Sequence, residues 1–300
     1  MKLTVIILTH NEQIHIERCL RSLRPIASRL FVVDSFSADN TVEIARSLGA
    51  EVVQREWKNY ADQFQWAIEN CNVQSGWLMR MDADEYLEPE AQKELQDVLA
   101  QTSDEIDGIY LKRKVYFEGQ WIRHGGFYPH TLLRIWRAGN GRIEQRWMDE
   151  HMVLPPGAKT ITLTGQLVDD NLKGITFWIN KHNWYASREA VDLLNNKYPL
   201  FERDERIKQM NDPQAKWKRL IKERVYSKLP AGMRAVLYFI YRYFLMLGFL
   251  DGKKGFFWHF MQGFWYRLLV DIKILEIEGR SQGDIKKMRQ ILRDEHSIYL

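Results

Sequence analysis

Two cysteines, Cys19 and Cys71, are all that the 300 residues contain, and they lie far apart with no Cys-x-x-Cys. That excludes a disulfide framework and a zinc ribbon and fits a reducing cytosol. Glycine-rich phosphate loops are also missing. No Gly-x-Gly-x-x-Gly and no Gly-Lys-Ser/Thr follows the first apolar run, which argues against a dinucleotide enzyme and a nucleoside triphosphatase. Charge of one sign is scarce: 43 Lys and Arg against 39 Asp and Glu leave a formal +4, too little to imply nucleic acid. Internal repeats and low-complexity tracts are absent. The longest almost wholly apolar run, Ala235 to Leu250, is short of the roughly twenty residues of a spanning helix and carries Arg242 inside it. The apolar N-terminus Leu3 to Leu8 is too short for a signal peptide, and Thr9-His10-Asn11-Glu12 ends it without a small-residue cleavage site.

What is present is an ordinary core-forming content, 45% hydrophobic, in a chain long enough for one large domain or two smaller ones. Apolar strands and helical periods alternate through the first eighty-odd residues. Strands are expected at Leu3–Thr9, Arg29–Val33, Glu51–Gln54 and Trp77–Met81. Helices are expected at Glu12–Leu23, Thr41–Leu48 (capped by Asp39 and ended by Gly49) and Asn59–Cys71. This alternation implies an α/β fold with a doubly wound, mostly parallel sheet. Beyond it the pattern gives a surface helix at Pro89–Ala100 and strands at Gly108–Val115 and Thr131–Trp136. Between those strands lies a glycine- and aromatic-rich loop, and helices follow at Ile175–Leu194 and Arg203–Lys228.

Asp82-Ala83-Asp84 follows the fourth strand. In an extended chain residues i and i+2 share a face, so both carboxylates are expected to aim at one place beyond the strand's carboxyl end, where open α/β sheets bind ligands. Two hard oxygen ligands suit a divalent cation that also holds phosphate. A lone Asp-x-Asp also recurs by chance in polar loops. Asp34 ends the second strand, where a carboxylate meets a nucleotide's ribose or base, or simply stabilises the turn.

Thr9-His10-Asn11-Glu12, then Val32-Val33-Asp34-Ser35-Phe36-Ser37-Ala38-Asp39-Asn40-Thr41, then Asp82-Ala83-Asp84 occur in this order. As a set they resemble the family 2 glycosyltransferases with the GT-A fold, more narrowly the bacterial lipopolysaccharide-core and capsule branch. The resemblance covers roughly the first hundred residues. It implies that Thr9, Glu12, Asp34 and Asp82 bind the nucleotide of a sugar donor, a UDP-sugar by expectation, and that Asp84 holds Mg²⁺ or Mn²⁺. It also places the general base of an inverting transfer in Trp147-Met148-Asp149-Glu150-His151-Met152, with Glu150 preferred and Asp149 next. Partial burial there would raise a carboxylate toward a useful pKa. His151 and His182 are candidate metal ligands. His182 shares a helical face with Tyr185, Ala186 and Glu189, although a lone histidine is more often structural. Arg134 and Trp136 should share one strand face and Arg137 the other, with Arg134 the candidate for the diphosphate. The Trp121–Pro129 loop offers rings for a sugar to stack on, or packs ordinarily.

The C-terminal quarter is rich in aromatics with flanking Lys and Arg, as an interfacial helix is. The basic residues Lys216, Lys218, Arg219, Lys222, Arg224 and Lys228 precede it. The expectation is a monotopic hairpin in the inner, cytoplasmic leaflet, near a lipid-linked or lipopolysaccharide-core glycan acceptor. A buried helical pair or a dimer interface is the plainer alternative. The division expected is a catalytic domain over 1–165, a helical acceptor-side region over 166–230 and a membrane-associating region over 231–300. Two rival functions stand beside this one: a sugar nucleotidyltransferase, and a non-catalytic glycan-binding scaffold.

Overall fold

The computed structural model describes residues 2–144, 150–201 and 230–299. The helix expected over Arg203–Lys228 lies outside them, and so does Asp149. The chain forms two compact units. The first comprises Met1–Arg123, Phe127–Gln145 and Glu150–Leu172, and the second includes His124–Gly126 and Lys173–Leu300. The chain passes into the second unit at His124–Gly126 and again, for the last time, after Leu172.

The first unit opens with β1 (Leu3–Thr9), α1 (Ile16–Leu23), β2 (Arg29–Asp34), α2 (Thr41–Ser47), β3 (Glu51–Gln54), α3 (Tyr60–Asn70) and β4 (Trp77–Asp82). Helix α1 starts four residues later than the apolar period implied, because Asn11 is left-handed (φ 55°) and Glu12 to His15 form a turn. There follow β5 (Glu85–Leu87), α4 (Pro89–Gln101), β6 (Ile106–Phe117), β7 (Gln120–Ile122), β8 (His130–Arg137), β9 (Arg142–Ile143), β10 (Met152–Val153) and β11 (Lys159–Asp169). The sheet order is β3-β2-β1-β4-β8-β6-β11-β5, with β7 on β6 and the β9–β10 pair separate. Strands β1 to β4 are mutually parallel, and β8 joins β4 antiparallel.

Helices cover both faces of the parallel part, as the unbroken apolar strands require. Leu3, Val5 and Ile7 of β1 pack with Ile16, Cys19, Leu20 and Leu23 of α1 and with Ala91, Leu95 and Leu99 of α4. Ile6 points the other way, toward Ala61, Phe64 and Ala67 of α3 and Trp136 of β8. Each such buried aliphatic contributes about 1.5–3 kcal/mol of transfer free energy. Strand β11 lies against α4 so closely that a Cβ on Gly165 would come within 2.4 Å of the Ala91 Cα. Registry puts Thr9 beside Asp34 and Leu8 beside Asp82, so the carboxyl ends of β1, β2 and β4 form one rim.

In the second unit, α5 (Gly174–Leu194) is followed by α6 (Met233–Ile240), a π-helical turn (Tyr241–Leu245), a 3-10 turn (Gly248–Asp251) and α7 (Gly252–Trp258). A second π-helical turn (His259–Trp265), α8 (Tyr266–Ser281) and α9 (Ile285–His296) are its last elements among the described residues. The run from Ala235 to Leu250 is therefore not one helix: Leu247 is left-handed (φ 60°) and breaks it. Val191, Leu194, Ile277, Met288 and Leu292 form a core where α5, α8 and α9 meet. Buried Glu189 on α5 accepts hydrogen bonds from the Tyr266 hydroxyl (2.7 Å) and from Arg267 (2.6 Å) on α8, so its charge is paired rather than stranded.

Candidate functional site

The rim carries the predicted acids, and each is held by a different set of partners. The Thr9 hydroxyl donates to Asp34 Oδ1 (2.9 Å), and both residues are buried. Asp34 also accepts from the Ser37 amide (2.9 Å), the Ser37 hydroxyl and Gln54 Nε2 (3.1 Å). Four donors on one fully buried carboxylate order the loop from β2 to α2. Asp39 completes that loop by accepting from the Thr41 and Gln13 amides. Glu12 Oε2 accepts from His15 Nδ1 (2.6 Å), and His15 Nε2 in turn accepts from the Leu172 amide (2.8 Å). The second contact sets the tautomer, since an acceptor Nε2 puts the ring's proton on Nδ1.

The alternation argument does not extend to Asp84. Strand β4 ends at Asp82, and Ala83–Asp84 form the turn into β5. Asp82 Oδ1 accepts from the Tyr60 hydroxyl (2.5 Å), and Oδ2 lies 3.5 Å from Arg134 Nη2. Arg80 lies 3.8 Å from Asp82 and stacks 4.4 Å above the Tyr60 ring. Asp84 Oδ2 instead accepts from Asn171 Nδ2 (2.9 Å), while its carbonyl accepts from Arg18 and from the Asp170 amide. Arg18 also binds the Asp170 carboxylate (2.6 Å). The segment Asp170–Leu172, just past β11, thus braces Asp84 and His15 together.

Behind this rim sits Glu85, which is buried. It accepts from the Asp82 amide (2.9 Å) and from Arg134 Nη2 (2.5 Å). Burial pushes the Glu85 carboxyl up to about 8, against the pull of Arg134. Burial also keeps the Tyr60 phenol and the Cys19 thiol neutral, both raised well above their ordinary values. The acids add to the rise, Asp82 at Tyr60 and Glu85, Asp84 and Asp82 at Cys19. Arg134 is 2% exposed, and its Nε and Nη1 find no hydrogen-bond acceptor among the described residues. Trp136 lies on the α3 face and Arg137 stacks on Trp77 (4.1 Å) on the other, while the register of β8 against β6 shifts at Arg134, so simple alternation does not set the face of that residue.

Glu150, the preferred base, is half-buried, and its carbonyl accepts from Arg80 Nη1 (3.2 Å), which links its segment to Asp82. His151 Nδ1 lies 3.6 Å from Glu144 Oε2. The Trp121 ring is flanked by Tyr128 (5.0 Å, edge-on) and by Lys114 and Arg123 (4.6 Å each). His182 belongs to the second unit. Its ring stacks on Trp178 (3.5 Å) and its Nδ1 donates to the Trp178 carbonyl (2.8 Å). Among the described residues no group of three or more His, Cys, Asp or Glu side chains is arranged to hold a metal ion.

Sequence reasoning missed Arg18, His15, Tyr60, Arg80, Glu85 and Asn171. Asp169-Asp170-Asn171 after an alternating strand was the available signal for the last. His15 lies in the turn before α1 and the others on helices or strands, where nothing in a linear motif points to them.

Residues 4–162 match the model of the family described as Glycosyl transferase family 2. The lipopolysaccharide core biosynthesis glycosyltransferase LpsC of Rhizobium meliloti is 28% identical over 207 residues, 67% of this chain and 75% of that one. The uncharacterized glycosyltransferase RT0209 of Rickettsia typhi is 28% identical over 202 residues, 64% of this chain and 68% of its own. Another from Rickettsia bellii is 42% identical over 99 residues, 33% of each chain. Among solved structures, the mannosyltransferase PcManGT of Pyrobaculum calidifontis, in complex with GDP-Man and Mn²⁺, is 15% identical. The match covers 91% of this chain and 87% of that chain with a TM-score of 0.50, a likeness of fold.

Proposed function

The chain belongs to glycosyl transferase family 2, and on that premise we propose that it moves a sugar, with inversion, from a nucleoside-diphosphate donor to a lipid-linked or lipopolysaccharide-core glycan. A UDP-sugar is the donor in this reading. One observation carries it: Thr9, Asp34 and Asp82 stand at the carboxyl ends of adjacent parallel strands, with Asp84 in the turn that follows. The name of the Rhizobium relative supports the lipopolysaccharide acceptor.

Thr9, Glu12 and Asp82 face the nucleoside in this scheme. Asp34, buried with four donors, shapes the loop that receives the base. Arg134, whose Nε and Nη1 have no acceptor among the described residues, would offer them to the diphosphate. Asp84, with Asp82 two residues before it, would hold a Mg²⁺ or Mn²⁺. Such ions take one or two carboxylates from the protein and their remaining ligands from phosphate and water, so no third protein ligand is needed. When bound, the ion would neutralise charge on the departing diphosphate. His182 has a packing role, its Nδ1 already committed to a carbonyl. Glu150, or Asp149 next to it, takes the proton of the acceptor hydroxyl. That oxygen attacks the anomeric carbon, and the carbon–oxygen bond to the diphosphate breaks, releasing UDP.

The test is donor turnover with Mn²⁺. UDP as product supports the transferase, pyrophosphate would mark a nucleotidyltransferase, and no turnover a scaffold. Asp84→Ala is expected to lower transfer by about 100-fold or more and to remove metal-dependent donor binding. Near-normal transfer by this variant would refute the assignment.

A further inference from the structure

We propose that the bent hairpin Met233–Trp258 docks, tip first, on an anionic lipid bilayer. The helical stretches Met233–Leu245 and Gly248–Ser281 meet at 71°. Together they are apolar enough to enter a membrane, although no single described helix is long and apolar enough to cross one. At the bend, Phe244, Leu245, Met246, Leu247, Phe249 and Leu250 are all exposed, Leu245 by 71%, and only Gly248 between them is buried. Val236, Leu237, Ile240 and Phe256 continue the apolar surface along both arms. A contiguous group of exposed rings and leucines of this kind marks an interaction or membrane surface.

The pattern of exposure selects the occupant. A partner helix or a second copy reads one stripe, with exposed residues every three or four positions. Along α6 the exposed residues do keep that spacing, but at the bend Phe244 to Leu247 are exposed one after another and Phe249 and Leu250 follow, which suits a fluid apolar phase. Lipid also demands that irregular backbone be satisfied internally. The Met246, Leu247 and Leu250 amides donate to the carbonyls of Tyr241, Phe244 and Leu247, and the Met246 carbonyl accepts from the Gly125 amide (2.8 Å).

Charge is arranged to match. Between Met233 and Gly252 only Arg234, Arg242 and Asp251 are charged, and none is exposed. Arg234 is buried against Asp271 (2.6 Å), and Asp251 is buried under the amide and ring Nδ1 of His124 (3.0 and 2.7 Å). Arg242 donates to the Tyr238 hydroxyl (2.6 Å). Lys253 and Lys254 follow at once and are both exposed, at the level where anionic headgroups would lie.

Flotation of the full chain tests this. It is expected to float with vesicles of phosphatidylethanolamine and phosphatidylglycerol, and less with phosphatidylcholine alone. Leu245→Glu combined with Leu250→Glu should lower partitioning at least about tenfold while leaving donor hydrolysis in solution and the melting temperature unchanged. Lys253→Glu with Lys254→Glu should remove the preference for phosphatidylglycerol. Because both native cysteines are buried, a polarity-sensitive dye on Leu247→Cys reports the tip directly and should shift to the blue on these vesicles. The proposal fails if wild-type protein floats with neither vesicle, if the tip variant floats as well as wild type, or if the dye does not shift. It fails equally if light scattering finds a lipid-free dimer that the tip variant dissociates. Donor hydrolysis read separately keeps this outcome independent of the transferase assignment.

Discussion

Asp84 illustrates how one side chain depends on others far away in the chain. Its carboxylate is braced by Asn171, and its carbonyl by Arg18 and the Asp170 amide. Groups that orient a metal-binding carboxylate typically change metal affinity 10- to 100-fold when removed. Asn171→Ala is therefore expected to raise the Mn²⁺ concentration for half-maximal donor hydrolysis by about tenfold or more, with the rate at saturating Mn²⁺ little changed. A titration of rate against Mn²⁺ checks this, and an unchanged midpoint would remove Asn171 from the site. At this scale the linear motif was legible as far as Thr9, Glu12, Asp34, Asp82 and Asp84. Asn171 was not, because β11 returns it to Asp84 from 87 positions further along the chain. Glu85 was hidden for another reason: next to two acids it reads as one more polar turn residue, and only burial beneath Arg134 reveals it.

Among the elements, α5 carries a test in His182. Its ring is enclosed by Trp178, Tyr185 and Tyr266, and burial holds it below its ordinary value, at about 4. The folded chain therefore favours the neutral ring. Above pH 6.5 this carries no cost. As pH falls from 6.5 toward 4 the unfolded chain takes up a proton that the folded chain refuses, and stability drops by up to about 3 kcal/mol. Urea melts at pH 7 and pH 4.5 should differ less for His182→Gln than for wild type. An equal difference would show that the ring is not the group responsible. Element positions in the first hundred residues were readable because buried parallel strands are continuous apolar runs and their helices keep a clear period. Strand β11 and helix α9 were not read at all, and the break inside the apolar run Ala235–Leu250 was not foreseen. Composition records that a run is apolar but not that Leu247 turns left-handed within it.

For the whole molecule, a ligand that binds only the folded state stabilises it, by about 2.7 kcal/mol at 100 times its Kd. UDP with Mn²⁺ should raise the melting temperature by a few degrees, and Asp84→Ala should abolish the Mn²⁺-dependent part. Repeating the scan with a panel of nucleotide sugars identifies the donor by the largest shift. No shift with any nucleotide would count against the family's donor chemistry in this chain.

Sequence alone determined the alternation of strands and helices, the doubly wound sheet and the order of acidic motifs along its rim. All of these follow from local periodicity and from where strands end. Tertiary structure decided which partners each acid has, which charges near the hairpin are turned inward, and which apolar residues remain bare. Those depend on contacts between segments distant in the chain, and on burial, which no residue carries by itself.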